Sequence, residues 1–355
     1  MTAGPIGIFA FWGNPIEHMP PERTRALLAE AALQEVDLCF FSPADCETGS
    51  GLIRAMRWRR GDWQTAMIEL PGLVTVIGIP VLPEHHAAEA WLRGRTQVAG
   101  FRHRDKRKAD ALVARTSWAP HVIPSARLDP DRPEEHLLQW LADGGVVVKP
   151  NDGTLARGIQ FAVPDDGAWL VVRDDRRWRE STEAAAARLA RAVRGRLHYR
   201  EYMVQRYVDS RDSEGRTIGI RVDVARLPGG GWGLIRMVGH VSLNGRLVSN
   251  ASRGAAKMPI RRLLAARTRP AETLEAEALA LAEGVAEALS PEGNGVSNYE
   301  YGVDIAIDPE DRLWFIEANP SPQTIWAEHQ RAVLVIAYLK SLVSARAARY
   351  GEMAG

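Results

Sequence analysis

Three oxygen-bearing side chains late in the 355-residue chain have types and spacing that could share one cation: Asp304, Glu317 and Asn319, separated by 13 and two residues. Side chains alternate along a strand, so Glu317 and Asn319 fall on one face. A hairpin across Asp308 to Asp311 returns Asp304 to about the level of residues 315–317. Two carboxylates and an amide oxygen are hard donors that suit Mg²⁺ holding polyphosphate oxygens. The alternative is that the three form only the polar outer face of a hairpin; the apolar flank Trp314, Ile316 and Ala318 weighs against it.

A second element is Lys149, at the end of the apolar run Val146 to Val148 and followed by Asp152, Gly153, Thr154, Arg157 and Gly158. A lysine ending a buried strand can reach α- and β-phosphates as a point charge, and glycines let backbone N–H groups approach phosphate oxygens. The lysine precedes the glycines, so this is no Walker A loop, and a plain β-hairpin explains the glycine spacing equally well. Gln205, Arg206, Tyr207 and Val208 end a further short strand, where backbone groups could read an adenine edge. Arg221 and Arg253 lie beside strands or glycine turns, positions suited to a γ-phosphate or a substrate carboxylate, although most arginines in such a chain are solvated surface cations.

These residues need a scaffold, and the periodicity supplies one. Ile6 to Trp12 reads as a buried parallel strand, Pro21 to Gln34 as a helix, Val36 to Phe41 as a strand, Val74 to Ile79 and Val98 to Phe101 as further strands with a helix over Pro83 to Leu92 between them. Strand and helix alternating in this way imply a small doubly wound α/β unit. Beyond it the pattern predicts a helix opening at Asp105 and running through Val113, another around Glu134 to Leu141, and a strand, glycine loop and returning strand from Gly145. Strands follow at Tyr202 to Val208, Ile218 to Ala225, Leu234 to His240 and Leu247 to Ala251. A long helix covers Ala271 to Leu289, the Asp304 and Glu317 strands form a hairpin, and a helix closes the chain from Trp326 to Arg346.

Composition excludes several classes. Apolar residues are 46% and charged residues 25%, ordinary for a globular chain, and the length suits two or three lobes. The longest apolar run, Ala332 to Leu339, is far short of the roughly 18 residues that span a bilayer. A formal charge of +1 gives no bulk reason to expect nucleic acid or an anionic membrane as partner. Cys39 and Cys46 make neither a metal spacing nor a disulfide framework, and no secretory leader is legible, so a soluble, cytoplasmic protein is expected. Only five of the 45 basic residues are lysines, Lys106, Lys108, Lys149, Lys257 and Lys340, which singles them out in an arginine-rich chain. The pair His85-His86 is expected at the surface, and Trp12, beside Gly13 and Asn14 at a strand C-terminus, is expected to line a substrate cleft.

Taken in order, Asp105-Lys106, Lys149 with its glycine loop, Gln205 to Val208, Arg221, Asn250 to Gly254, and Asp304 with Glu317 and Asn319 resemble the ATP-grasp superfamily over about residues 101–325. Phe41 to Asp45, Gly61 to Trp63, Leu70-Pro71, Asp105-Lys106 and Val248 to Gly254 look most like its spore-coat-associated YheC/YheD branch. The resemblance implies mixed α/β and α+β architecture: an N-terminal Rossmann-like parallel domain (1–101), a first ATP-grasp lobe with the glycine loop (102–204) and a second lobe with the metal site and C-terminal helix (205–355). It implies that Lys106 and Lys149 contact ATP phosphates and that the loop 152–158 folds over them. Gln205 to Val208 would then hold adenine, and Asp304, Glu317 and Asn319 two Mg²⁺ or Mn²⁺ ions. Arg221, Arg253 and Asn250 become candidates for the phosphoryl group and the acid substrate. Two departures stand out: Arg206 replaces an acidic hinge residue common among relatives, and Pro320 to Thr324 replaces a glycine turn after Asn319.

The activity implied is ATP-dependent ligation of a small carboxylate to an amine, of an amino acid or peptide kind, through an acyl phosphate. The competing readings are a small-molecule kinase on the same fold and a non-catalytic nucleotide-binding or coat-assembly protein. Nucleic acid and membrane are not expected as partners, and dimers are frequent among relatives.

Overall fold

The computed structural model describes residues 4–78, 80–100, 105–153, 157–243, 247, 254–291 and 298–354, with side chains as far as 345. Thr154, Asn250 and Arg253, and most of the strand expected from Leu247 to Ala251, lie outside the described residues. Three sheets organise the chain in sequence order.

In the first, the strands Leu38–Phe41, Ile6–Ala10, Leu73–Ile77 and Gln97–Ala99 lie parallel in that spatial order. All five residues of Ile6–Ala10 are buried, as its unbroken apolar run requires of a central parallel strand. The helices Pro21–Leu33 and Pro83–Arg93 connect these strands, each with proline at its first turn. On the far side of Leu38–Phe41 the sheet gains an antiparallel hairpin, Leu52–Arg59 with Asp62–Glu69, that the sequence reading leaves out. Its turn is Arg60-Gly61, both residues at positive φ (52° and 83°), the two-residue geometry that matches strand twist.

The second sheet is antiparallel throughout: Arg176–Glu180, Ala168–Arg173, Gln160–Asp165, Val146–Pro150, Tyr202–Arg206 and Ser125–Arg127. The helices Pro133–Ala142 and Thr182–Val193 cover one face, through Leu137, Leu141, Ala186 and Leu189 among others. The other face looks into a cleft.

Across that cleft stands the third sheet, Ala256–Met258, Trp232–Val241, Ile218–Arg226, Glu300–Ile307 and Leu313–Pro320. Ile218, Ile220, Val222 and Val224 alternate onto a face buried against the helix Ala271–Leu289. Gly284 lies in that helix where an added Cβ would come within 1.8 Å of the Trp118 indole, so the close approach of Trp118 needs glycine there. Val113, the last residue of the helix Lys106–Val113, joins the same core.

The closing helix, Glu328–Ala354, places Ala332, Val335, Ile336 and Leu339 in a core shared with Ile6, Ile8, Leu27 and Leu73 of the first sheet's unit and Ala225 and Ile235 of the third sheet. Buried polar links reinforce the junction: Arg23 pairs with Glu328 at 2.9 Å, Arg331 with Glu300 at 2.6 Å, and the hydroxyls of Thr75 and Tyr299 meet at 2.6 Å. Among the described residues, no helix is long and apolar enough to cross a membrane.

Candidate active site

Directly opposed residues of an antiparallel ladder share a face. Asp304 opposes Glu317, with a register shift immediately after Asp304, and Gly302 opposes Asn319. On the other side Arg221 opposes Asp304 and Asp223 opposes Gly302. The three presumed cation ligands therefore meet on the cleft face of the third sheet. The Asn319 amide nitrogen lies 3.0 Å from Glu317 Oε1 and 3.3 Å from Asp304 Oδ2. Turning that amide by half a turn presents Oδ1 to the same point, so the donor set fits a hard cation.

Cations surround this acidic point. The Arg221 guanidinium donates from Nε and Nη2 to the two oxygens of Asp304, both at 2.6 Å. This bidentate grip makes Arg221 the group that orients Asp304. Gly302 makes it sterically feasible: a Cβ there would come within 2.5 Å of Arg221 Nη1 and 2.6 Å of Asp223 Oδ1. From the start of the helix Lys106–Val113, Lys106 Nζ reaches Glu317 Oε2 at 3.3 Å and also donates to the carbonyl of Gly153. Burial works to raise the Glu317 carboxyl, but the ammonium groups of Lys106 and Lys149 outweigh it and hold it below the usual range. At Asp304 burial and the adjacent Glu317 charge push upward against the pull of Arg221.

Lys149 is buried (4% exposed), and burial, partly offset by Glu317 and Asp110, lowers its pKa. It donates to Gln205 Oε1 at 2.7 Å, which fixes that amide with its nitrogen turned away from the lysine. Gln205 Nε2 is buried without a hydrogen-bond partner although Gln205 lines the cleft, a donor that a ligand acceptor would satisfy. Asn151, two residues on, forms a clasp: Nδ2 donates to Asp105 Oδ1 at 2.9 Å, and Oδ1 accepts from the backbone N–H of Arg107 at 3.0 Å. Asp105 also caps the helix Lys106–Val113, accepting from the N–H of Lys108 at 2.8 Å. Lys106 and Lys149 are thereby fixed to one frame.

The cleft is open to solvent. Lys106, Lys149, Gly153, Arg157, Gln205, Arg206, Tyr207, Val208, Asp304 and Glu317, all singled out in the sequence, line it, and Val147, Ile159, Phe161 and Ile305 supply apolar wall. Other expected residues behave differently. Asp152 turns outward to pair with Arg200 at 2.8 Å. The Arg206 side chain stacks 4.8 Å from the Trp140 ring centroid and pairs with Asp143, leaving only its backbone for a ligand. Gly158, at φ 73°, turns the chain behind Pro150. His85 is buried rather than exposed, stacked 6.4 Å from the ring of Trp12, which is itself 57% exposed at the end of the first strand. Sequence reasoning missed Asn151, Gly302, Arg236 and His240; only Gly302, a glycine inside a strand, carries a local signal.

The model for YheC/D-like ATP-grasp proteins matches residues 104–342, a span holding every one of the clustered lysines and acidic ligands. The chain belongs to this ATP-grasp family. A relative is the endospore coat-associated protein YheD of Bacillus subtilis (strain 168), 22% identical over 338 residues that cover 89% of this chain and 72% of that protein. The fold is also that of D-cycloserine synthetase DcsG (TM-score 0.54, 15% identity, 96% of this chain and 99% of that one) and of D-alanyl-alanine synthetase A from Vibrio cholerae (TM-score 0.53, 12% identity, 97% of both). The second and third sheets face each other across the cleft.

Proposed function

We propose that this chain is an ATP-dependent carboxylate–amine ligase acting through an acyl phosphate. The observation that carries the reading is the meeting of Lys106 and Lys149 with Asp304, Glu317 and Asn319 in one cleft, where ammonium groups suited to polyphosphate and a donor set suited to a cation lie together. Val147, Ile159, Phe161 and Tyr207 would flank the adenine, the Gln205 amide nitrogen would donate to it, and Lys106 and Lys149 would hold phosphate oxygens.

A carboxylate is a poor electrophile at neutral pH. In the proposed reaction its oxygen attacks the γ-phosphorus, the bond to the ADP oxygen breaks, and ADP leaves. An amine then attacks the acyl carbon, phosphate departs with the bonding pair, and the amine loses its proton. The chain's part is positioning and charge neutralisation of the in-line transfer, with Lys106, Lys149 and Arg157 at the cleft wall. Asp304, Glu317 and Asn319 would hold Mg²⁺ or Mn²⁺, one or two ions, which when bound neutralise polyphosphate charge. Arg221 holds Asp304 in place throughout. The substrates are a small carboxylic acid and an amine of amino-acid or peptide kind.

The names of the two similar synthetases support ligation, while that of YheD supports a coat-associated role. The clustering of Lys106 and Lys149 with Asp304 and Glu317 favours catalysis, since a scaffold has no need of such a cluster. Isotope transfer decides: with ¹⁸O in the acid substrate, one label appears in released phosphate. Turnover without that label supports a kinase, and absence of any nucleotide binding supports the coat role.

A further inference from the structure

The cleft face of the third sheet continues past the cation ligands. Gly219 opposes His240, and His240 opposes Lys257, so these residues share the face that bears Arg221 and Asp304. Charge along this face is matched nearly everywhere: Asp304 with Arg221, Asp223 with Arg236 at 2.5 Å, and Glu317 with Lys106. Lys257 is the exception; among the described residues no carboxylate pairs with its ammonium. Its Nζ sits instead 4.4 Å from the centroid of the Trp326 ring.

Trp326 is an independent anomaly. It is 85% exposed and holds φ at 70°, a backbone state unfavourable for a bulky residue. The preceding turn is pinned by Arg236, whose Nη1 and Nη2 donate to the carbonyls of Ile325 and Gln323 at 2.6 and 2.7 Å while its Nε grips Asp223. Arg23 Nη2 takes the carbonyl of Pro322 at 2.7 Å. An unpaired ammonium and an aromatic plane are thus fixed side by side on the face that carries the reaction centre. The turn that does this is the segment Pro320 to Thr324 with its C-terminal continuation.

Resting on the ligase reading, we propose that Lys257 and Trp326 bind a second, unreactive carboxylate of the acid substrate and the carbon chain beside it, so that the acid taken here is a dicarboxylate. Three strand spacings, about 14 Å, separate the backbones of the Lys257 and Asp304 strands. Lys257 also lies two residues further along the face than Asp304, and its stem, turned to Trp326, covers part of the span that a dicarboxylate would bridge with its reacting end at the cation ligands.

The test is equilibrium binding of adipate and of hexanoate, equal in carbon number, to the full chain with ADP and Mg²⁺ present, read by tryptophan emission and calorimetry. Adipate binds about tenfold or more tightly than hexanoate and changes the emission, as one charge-assisted contact predicts. Lys257→Met removes the preference, Lys257→Arg retains most of it, and Trp326→Phe removes the emission change, with thermal melting confirming that each variant is folded. Equal binding of the two acids, or a preference that survives Lys257→Met, overturns the proposal. If ADP itself does not bind, the ligase reading falls first; if ADP binds and the preference is absent, only the dicarboxylate assignment falls.

Discussion

The two walls of the cleft handle charge in opposite ways. The wall on the second sheet is largely apolar, with Lys149 buried against a neutral amide, Gln205, as its nearest partner. The facing wall on the third sheet is crowded with charge, nearly all of it in close pairs, from Arg221 with Asp304 to Arg236 with Asp223. A desolvated ammonium without a carboxylate partner is an invitation to an anion. A set of locked ion pairs is a frame that holds ligands in fixed orientation before anything binds. One wall is built for affinity, the other for geometry.

Substitutions on the two walls should therefore fail differently. Glu317→Gln should reduce turnover on the order of a thousandfold while the chain still binds nucleotide, because it removes charge from the cation ligands and leaves the apolar wall intact. Loss of binding equal to the loss of turnover would erase the distinction. Arg236→Ala should cost about 3 kcal/mol in urea unfolding, since it removes the hydrogen-bonded partner of the fully buried Asp223 carboxylate and leaves it only the looser Arg221 contact at 3.8 Å. Adding Asp223→Asn should recover part of that loss; no recovery would mean that the carbonyl contacts, not the ion pair, carry the stability. Lys149→Met should weaken nucleotide roughly a hundredfold by calorimetry with little change in melting temperature, because the substitution removes a charge whose burial was unfavourable.

Per pH unit, the smallest effect concerns His240. Burial, with Arg221, Lys257 and Arg236 adding to it, pushes the imidazole down to about 4 from an ordinary 6.5. The unfolded chain takes up this proton first as pH falls. The contribution to stability is thus complete above about pH 6.5 and is lost toward pH 4, with a slope of at most about 1.4 kcal/mol per pH unit. His240→Asn should flatten the melting profile in that window, and a profile of unchanged slope would remove the histidine from the account.

The difference between the walls also explains what could be read from sequence. Glu317 and Asn319 were legible as a pair because strand alternation puts them on one face, and Asp304 falls within the expected stretch 315–317; the register shift after Asp304, which no local pattern signals, sets it opposite Glu317 rather than Ile316. The helix Ala271–Leu289 was legible to the residue because its apolar stripe is unbroken. Lys149 announced itself by ending an apolar strand. Asp152 and Arg206 show the limit: a motif position says nothing about which way a side chain turns, and each found a partner outside the cleft, Arg200 and Asp143. The hairpin Leu52–Arg59 with Asp62–Glu69 was missed because Asp62–Glu69 is almost wholly solvated and the arginines of Leu52–Arg59 hide the alternation. The strands Ala168–Arg173 and Arg176–Glu180 were missed although Asp166-Gly167, both at positive φ, is a strong turn signal. His240 and Arg236 depend on which strands become neighbours, which no local pattern encodes.

The closing helix has a mechanical consequence. Through Ala332, Val335, Ile336 and Leu339 it welds the first sheet's unit to the third sheet, and Arg23 with Glu328 bolts the same seam. The core under the second sheet, by contrast, draws all its members from residues 126–204. Opening the cleft to admit one ligand and release another therefore disrupts the least buried surface if the welded pair stays as a fixed anvil and the second sheet swings as the hammer.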